Sequence, residues 1–178
     1  MNEFDASLSL KGRSVLLVED DARLSKRLQA LLAQEDAVLR VAATEAEARA
    51  AWGKASFDFV LLDVHLPDGN GLDLLRDHRP DADTAVVVMT ADGGMESAVE
   101  ALRRGAADYL VKPFNPFELP LVYARCKERM DAHRRMSHER RQGALRDASF
   151  HFGKGLGAVR EQLKRILETD RRLDGPLP

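Results

Sequence analysis

Residues 58–75 read DFVLLDVHLPDGNGLDLL. An apolar run from Phe59 to Leu62 climbs to one carboxylate, Asp63, and the chain then breaks into Pro67, Asp68, Gly69, Asn70 and Gly71. A buried carboxylate is costly unless something compensates it. Asp63 is therefore either a strand-end residue that reaches water or a member of a site, and the rest of the chain decides which.

Other short apolar runs flank this one: SVLLV (14–18), AVLRVA (37–42), TAVVVM (84–89) and DYLV (108–111). With FDFVLL (57–62) they are brief and rich in Val and Leu, as expected of strands buried on both faces of a parallel sheet. Helical patterns alternate with them. Leu24, Leu28, Leu31 and Leu32 repeat at helical spacing, and Thr44 with Glu47 three residues on is a capping box. GLDLLRDH and MESAVEALRRG follow, the second stopped by Gly105. Five strand–helix repeats predict an α/β, doubly wound, five-stranded parallel sheet, in which ligands bind beyond the carboxyl ends of the strands. Those ends carry Glu19, Asp20 and Asp21, then Asp63, Thr90 and Lys112.

The totals narrow the class. The 178 residues suit one ordinary domain with an appendage. A net charge of −2 gives no global field pointing to nucleic acid or membrane. A single cysteine, Cys126, excludes an internal disulfide. No apolar stretch approaches the roughly 20 residues that span a bilayer. The first residues, MNEFDASLSLKGR, lack a signal-peptide core. A cytoplasmic protein is expected.

Glu19, Asp20 and Asp63 would gather carboxylates at neighbouring strand ends, where like charges cannot all ionise cheaply. A hard cation relieves them, and Mg²⁺ suits one or two carboxylates plus phosphate oxygens. Lys112 adds a fixed positive charge and Thr90 a hydroxyl. A carboxylate beside a metal, a lysine and a hydroxyl is a nucleophile facing a phosphoryl group.

VLLVEDD, LLDVHLPDGNG, VVMTAD and YLVKPF, in this order on successive strand ends, resemble the receiver domain of two-component response regulators, with a flavodoxin-like strand order of 2-1-3-4-5. The resemblance implies that Asp63 is the phosphoacceptor, charged by a sensor histidine kinase. It makes Glu19 and Asp20 the acidic pair for Mg²⁺, to which His65 lends its backbone carbonyl. Thr90 becomes the switch hydroxyl, Lys112 the ion-pair partner of the phosphoryl group, Tyr109 the aromatic switch, and Lys112–Pro113 a cis bond. His65 and Asp92, each two residues beyond a site residue, depart from the commonest family forms, and such positions tune the lifetime of the phosphoryl group. Only self-phosphorylation and self-dephosphorylation are implied, not turnover of a substrate. Asp21 is read as starting the next helix, where a carboxylate suits the helix dipole.

The remainder divides into a loose leader (1–12), the receiver (13–130), a linker helix continuing from the last receiver helix (131–148) and a tail (149–178). Leu119, Cys126 and His133 lie at spacing seven, a poor heptad, and residues 115–147 are expected to form a dimerising helix. Eight Arg or Lys stand against four acids over 125–147, read as a solvated helix and not as a DNA contact. The tail, FHFGKGLGAVREQLKRILETDRRLDGPLP, resembles the opening of the AAA+ ATPase domain of NtrC-type, sigma-54-dependent activators. It implies a receiver plus linker, truncated before the AAA+ core. FGKG lacks the spacing of a phosphate-binding P-loop, so no ATPase activity is expected of this chain. Two other functions stay open. One is an aspartyl-nucleophile phosphatase or hydrolase, although His65 stands where its general-acid Asp belongs. The other is a pseudo-receiver binding module that is never phosphorylated.

Overall fold

A computed structural model describes residues 9–78, 80–91 and 95–150 of the chain. Five strands form one parallel sheet: β1 (Ser14–Val18), β2 (Val38–Ala42), β3 (Phe59–Asp63), β4 (Ala85–Thr90) and β5 (Asp108–Val111). Their order is β2-β1-β3-β4-β5. Five helices connect or follow them: α1 (Ala22–Gln34), α2 (Glu45–Trp52), α3 (Gly71–Asp77), α4 (Met95–Arg103) and α5 (Leu119–Phe150). The order reverses between β1 and β3, and at that crevice the carboxyl ends of both strands are open to a ligand.

Alternation of side chains across the pleat builds two cores. Leu16, Val18, Val60, Leu62, Val86 and Val88 pack on α2, α3 and α4 through Ala48, Ala51, Leu72, Leu74, Leu75 and Ala101. Val15, Leu17, Phe59, Leu61, Val87 and Met89 face α1 and α5 through Leu28, Leu31, Leu32, Leu119, Val122, Tyr123 and Cys126. Helices α1, α2 and α3 start where the sequence supplies an acceptor. Asp21 takes the Arg23 and Leu24 N–H groups, and Asn70 takes that of Leu72. Thr44 takes the Glu47 N–H, while the Glu47 carboxylate reaches back to Ala43 and not to Thr44 itself. Gly105, at φ +100°, turns the chain out of α4.

Several expectations are corrected. Only β1, β3 and β4 are buried on both faces. The edge strands expose Val38, Val41, Tyr109 and Val111, because each has a neighbour on one side only. Leu10, inside the expected loose leader, is fully buried in the second core. Leu119 and Cys126, two positions of the poor heptad, are also fully buried there, so that stripe packs on the protein's own sheet. Helix α5 continues to Phe150, two residues past the expected end of the linker helix at 148. The chain's contacts fall into two compact units, residues 1–132 and 133–178, of which the first carries the sheet. The AAA+-like tail from residue 151 and most of the leader lie outside the described residues.

Candidate functional site

Asp63 ends β3, and Glu19 directly follows β1, its neighbour in the sheet. Both are almost fully buried, whereas Asp20 is exposed. The sheet holds their backbones rigidly, so the two charges cannot separate. Lys112, just past β5, reaches across to both. Its Nζ donates to Asp63 Oδ2 at 2.6 Å and to Glu19 Oε1 at 3.0 Å. The Asp21 N–H also donates to Glu19 Oε1, at 3.2 Å.

The second Glu19 oxygen differs. Oε2 lies 2.7 Å from the Lys112 ammonium but outside hydrogen-bonding angles, and it is buried with no hydrogen bond among the described residues. That oxygen is therefore paired by charge with Lys112 without an aligned donor of its own. Carboxylate oxygens of Glu19, Asp20 and Asp63 lie within 4.8 Å of one another. This all-oxygen donor set fits a hard divalent ion such as Mg²⁺.

Electrostatics agree with that geometry. Burial pushes the Glu19 carboxyl up; the Lys112 hydrogen bond opposes this, the Asp63 charge adds to it, and the net pKa is raised. Burial pulls Lys112 down, but its hydrogen bonds to Asp63 and Glu19 outweigh burial and raise its pKa. The lysine is thus held charged between two carboxylates that one cation compensates incompletely.

The backbone around Asp63 is closely shaped. The His65 N–H donates to Asp63 Oδ1 at 3.2 Å. His65–Leu66 pairs antiparallel with Gly69–Asn70 in a small hairpin closed over Pro67 and Asp68. Gly71 follows, its N–H bonded to the Val64 carbonyl at 2.8 Å. A Cβ on Gly71 would lie 1.9 Å from the Asp63 carbonyl oxygen, so only glycine fits there.

Among the residues singled out by sequence, Glu19, Asp20, Asp63 and Lys112 come together. Thr90 ends β4, is 2 % exposed, and accepts the Lys112 N–H on its carbonyl at 2.8 Å. His65 is exposed beside Asp63. Tyr109 lies apart on β5, 37 % exposed. Lys112–Pro113 is cis. Asp92 lies outside the described residues. The sequence reading passed over Asp68, whose carboxylate leaves the hairpin altogether and binds α2. Its only signal was a second carboxylate in a loop of turn formers, where Asp is ordinary.

Known proteins match this architecture. Residues 15–123 match the response regulator receiver domain. The chain is 32% identical over 166 residues to the alginate biosynthesis transcriptional regulatory protein AlgB of Pseudomonas aeruginosa, an alignment covering 93% of this chain and 36% of AlgB. It is 40% identical over 110 residues to the photosynthetic apparatus regulatory protein RegA of Cereibacter sphaeroides, covering 60% of this chain and 59% of RegA. The chain therefore spans about a third of the one relative and little more than half of the other. Among solved structures it resembles the chemotaxis response regulator CheY4 of Vibrio cholerae, with a TM-score of 0.60, 28% identity, and coverage of 65% of this chain and 99% of that one.

Proposed function

The chain belongs to the response regulator receiver domain family, and from that premise we infer that it is a phosphorylation switch whose acceptor is Asp63. The observation that carries this reading is the convergence of buried Glu19 and Asp63 on one lysine, with the exposed Asp20 carboxylate grouped beside them. In the transfer, a carboxylate oxygen of Asp63 attacks the phosphorus of a phosphohistidine on a sensor kinase. The O–P bond forms as the P–N bond breaks, and the histidine nitrogen keeps the electron pair. Lys112 stays charged throughout and binds the incoming phosphoryl oxygens, as its raised pKa favours. Glu19, Asp20, Asp63 and the His65 carbonyl are the residues that would hold Mg²⁺. When bound, that ion supplies positive charge to the carboxylates and the transferring group. The Thr90 hydroxyl then binds the phosphoryl group and shifts the population of packings about β5, with Tyr109 as the aromatic switch. His65 and Asp92 tune how long the adduct lasts.

The wider assignment is a receiver from an NtrC-type, sigma-54-dependent transcription activator, working in the cytoplasm. Its support is the AlgB alignment, which covers 93% of the chain and so runs well past the receiver match at residues 15–123, together with that relative's name as a transcriptional regulator. In this reading residues 13–130 are the receiver, 131–148 the linker and 149–178 the start of the AAA+ domain. Two chains pair through α5 and the linker, and phosphorylation rearranges the pair. With Leu119 and Cys126 used by the sheet, pairing falls to the exposed apolar residues Phe117 and Leu121.

Incubation with Mg²⁺ and acetyl phosphate, with Asp63→Asn as control, tests the switch. A lasting covalent adduct in the wild type only is expected. Phosphate release with no adduct trapped at any time point would favour a hydrolase, and neither adduct nor release a non-phosphorylated binding module.

A further inference from the structure

The hairpin after Asp63 is tied to a helix far from it in sequence. Asp68 Oδ1 accepts the Glu45 N–H at 2.7 Å, and Oδ2 accepts the Ala46 N–H at 3.0 Å. One carboxylate thus binds two successive backbone donors in the first turn of α2, across 23 and 22 residues of chain. Thr44, the local cap, serves a third donor, Glu47, so Asp68 takes the donors that the local sequence leaves over. The contact is close throughout. A Cβ on Gly69 would lie 2.0 Å from the Glu45 carboxylate. Glu45 pairs with Arg49, and Arg49 with Asp77 at 3.0 Å at the end of α3. The hairpin leads into α3, α3 is bridged to α2, and α2 is bound back to the hairpin by Asp68.

We propose that Asp68 is a positioning residue for phosphoryl transfer: its clasp on α2 fixes the hairpin, and through it the His65 backbone against Asp63. The base of the hairpin is anchored by Val64, Gly71 and buried Leu66, but its tip has Asp68 as its long-range hydrogen-bonded tie among the described contacts. Its ladder is two residues long on each strand, and its tip carries no buried side chain. Isolated ladders this short do not hold their own geometry. The His65 N–H binds the acceptor carboxylate, and the His65 carbonyl belongs to the same short strand. Release of Asp68 lets both drift, and sub-ångström drift is enough to slow transfer. The same constraint acts in reverse, so α2 senses the state of the hairpin.

This proposal rests on Asp63 as phosphoacceptor, and the experiment separates the two. Wild type, Asp63→Asn, Asp68→Ala and Asp68→Asn are compared in three measurements: amide hydrogen exchange without metal, half-saturating Mg²⁺, and the rate of adduct formation from acetyl phosphate. Asp68→Ala is expected to speed exchange at His65 as well as at Glu45 and Ala46. It is expected to raise half-saturating Mg²⁺ on the order of tenfold, the usual consequence of losing a residue that orients a ligand. Asp68→Asn keeps one acceptor oxygen and should recover part of both effects. A merely structural role would lower the melting temperature and leave His65 exchange and Mg²⁺ dependence alone. Unchanged values for both in the two variants, with the wild type still phosphorylated, would overturn the clasp and spare Asp63. An unlabelled wild type would sink both readings. If Asp68→Ala fails to fold, the near-isosteric Asp68→Asn decides by the same measurements.

Discussion

The two flanks of Asp63 are held by different chemistry. Towards α2 and α3, the hairpin is fastened by backbone donors and by contact: Asp68 on two amides, the Gly71 N–H on Val64, and a glycine pressed against the Asp63 carbonyl. Towards β5, the four-residue ladder of β4 with β5 and the Lys112-to-Thr90 backbone bond are edged by exposed apolar residues: Tyr109 and Val111 on β5, Phe117 and Leu121 after it, with Val99 and Leu102 on α4. The ion pairs on that side, Asp108 with Arg125 and Arg129, involve arginines more than half exposed, and such pairs contribute little. The first flank has a single geometry set by directional bonds. The second keeps apolar surface that a change of packing or a partner can cover. The same site thus has one wall closed by directional bonds and one that leaves apolar surface open.

The largest break in this contrast comes at the centre. Lys112→Ala leaves two buried carboxylates without their counter-ion. In the absence of divalent ions it should destabilise the protein by about 3 kcal/mol, as does removing one partner of a buried pair. Added Mg²⁺ should restore part of the loss. A melting temperature insensitive to both changes would show that the charges are already relieved in another way.

On the fixed flank, Gly71→Ala drives a methyl into the Asp63 carbonyl, and the backbone must move. Overpacking of this kind costs about 2 kcal/mol, readable as a lower denaturation midpoint. A variant as stable as the wild type would mean that the wall is softer than its contacts imply.

Acid should loosen this flank next. Hydrogen bonds from Ala46 and Glu45 hold the Asp68 carboxyl below its ordinary pKa, and those from Leu24 and Arg23 do the same for Asp21. A depressed folded pKa contributes stability that is complete above the unfolded value and lost as pH falls through the folded one. The loss therefore lies below about pH 4. Asp68→Asn should make the acid limb of a melting-temperature profile less steep, and identical limbs would remove Asp68 from the account.

The smallest effect belongs to the open apolar flank. Phe117 is 74 % exposed, and Phe117→Ser should change stability by less than about 0.5 kcal/mol. Sedimentation should nevertheless show weaker self-association of the phosphorylated protein. A stability loss as large as that of Gly71→Ala would erase the difference between the flanks.

Much of this could be read in advance. Five apolar runs with helices between them lead to a doubly wound sheet, and carboxylates and a lysine at strand ends lead to a site there. Glu19, Asp63, Thr90 and Lys112 are legible because strand ends converge whenever a parallel sheet forms. Exposure of the edge strands was not legible, since Val38 and Val111 look like the core valines of β4. Nor was the burial of Leu10, one of several apolar residues scattered through the leader.

The sequence by itself determined which elements form, their order along the chain, and which side chains stand at the carboxyl edge, because periodicity and strand-end position are local properties. Only the tertiary structure decided how those side chains meet: Lys112 bonded to two carboxylates from other strands, a Glu19 oxygen left over, the heptad stripe turned inward, and Asp68 bound to a helix 22 residues away. Hydrogen bonds are directional and short, so their partners exist only once the sheet has placed distant backbones within 3 Å of one another.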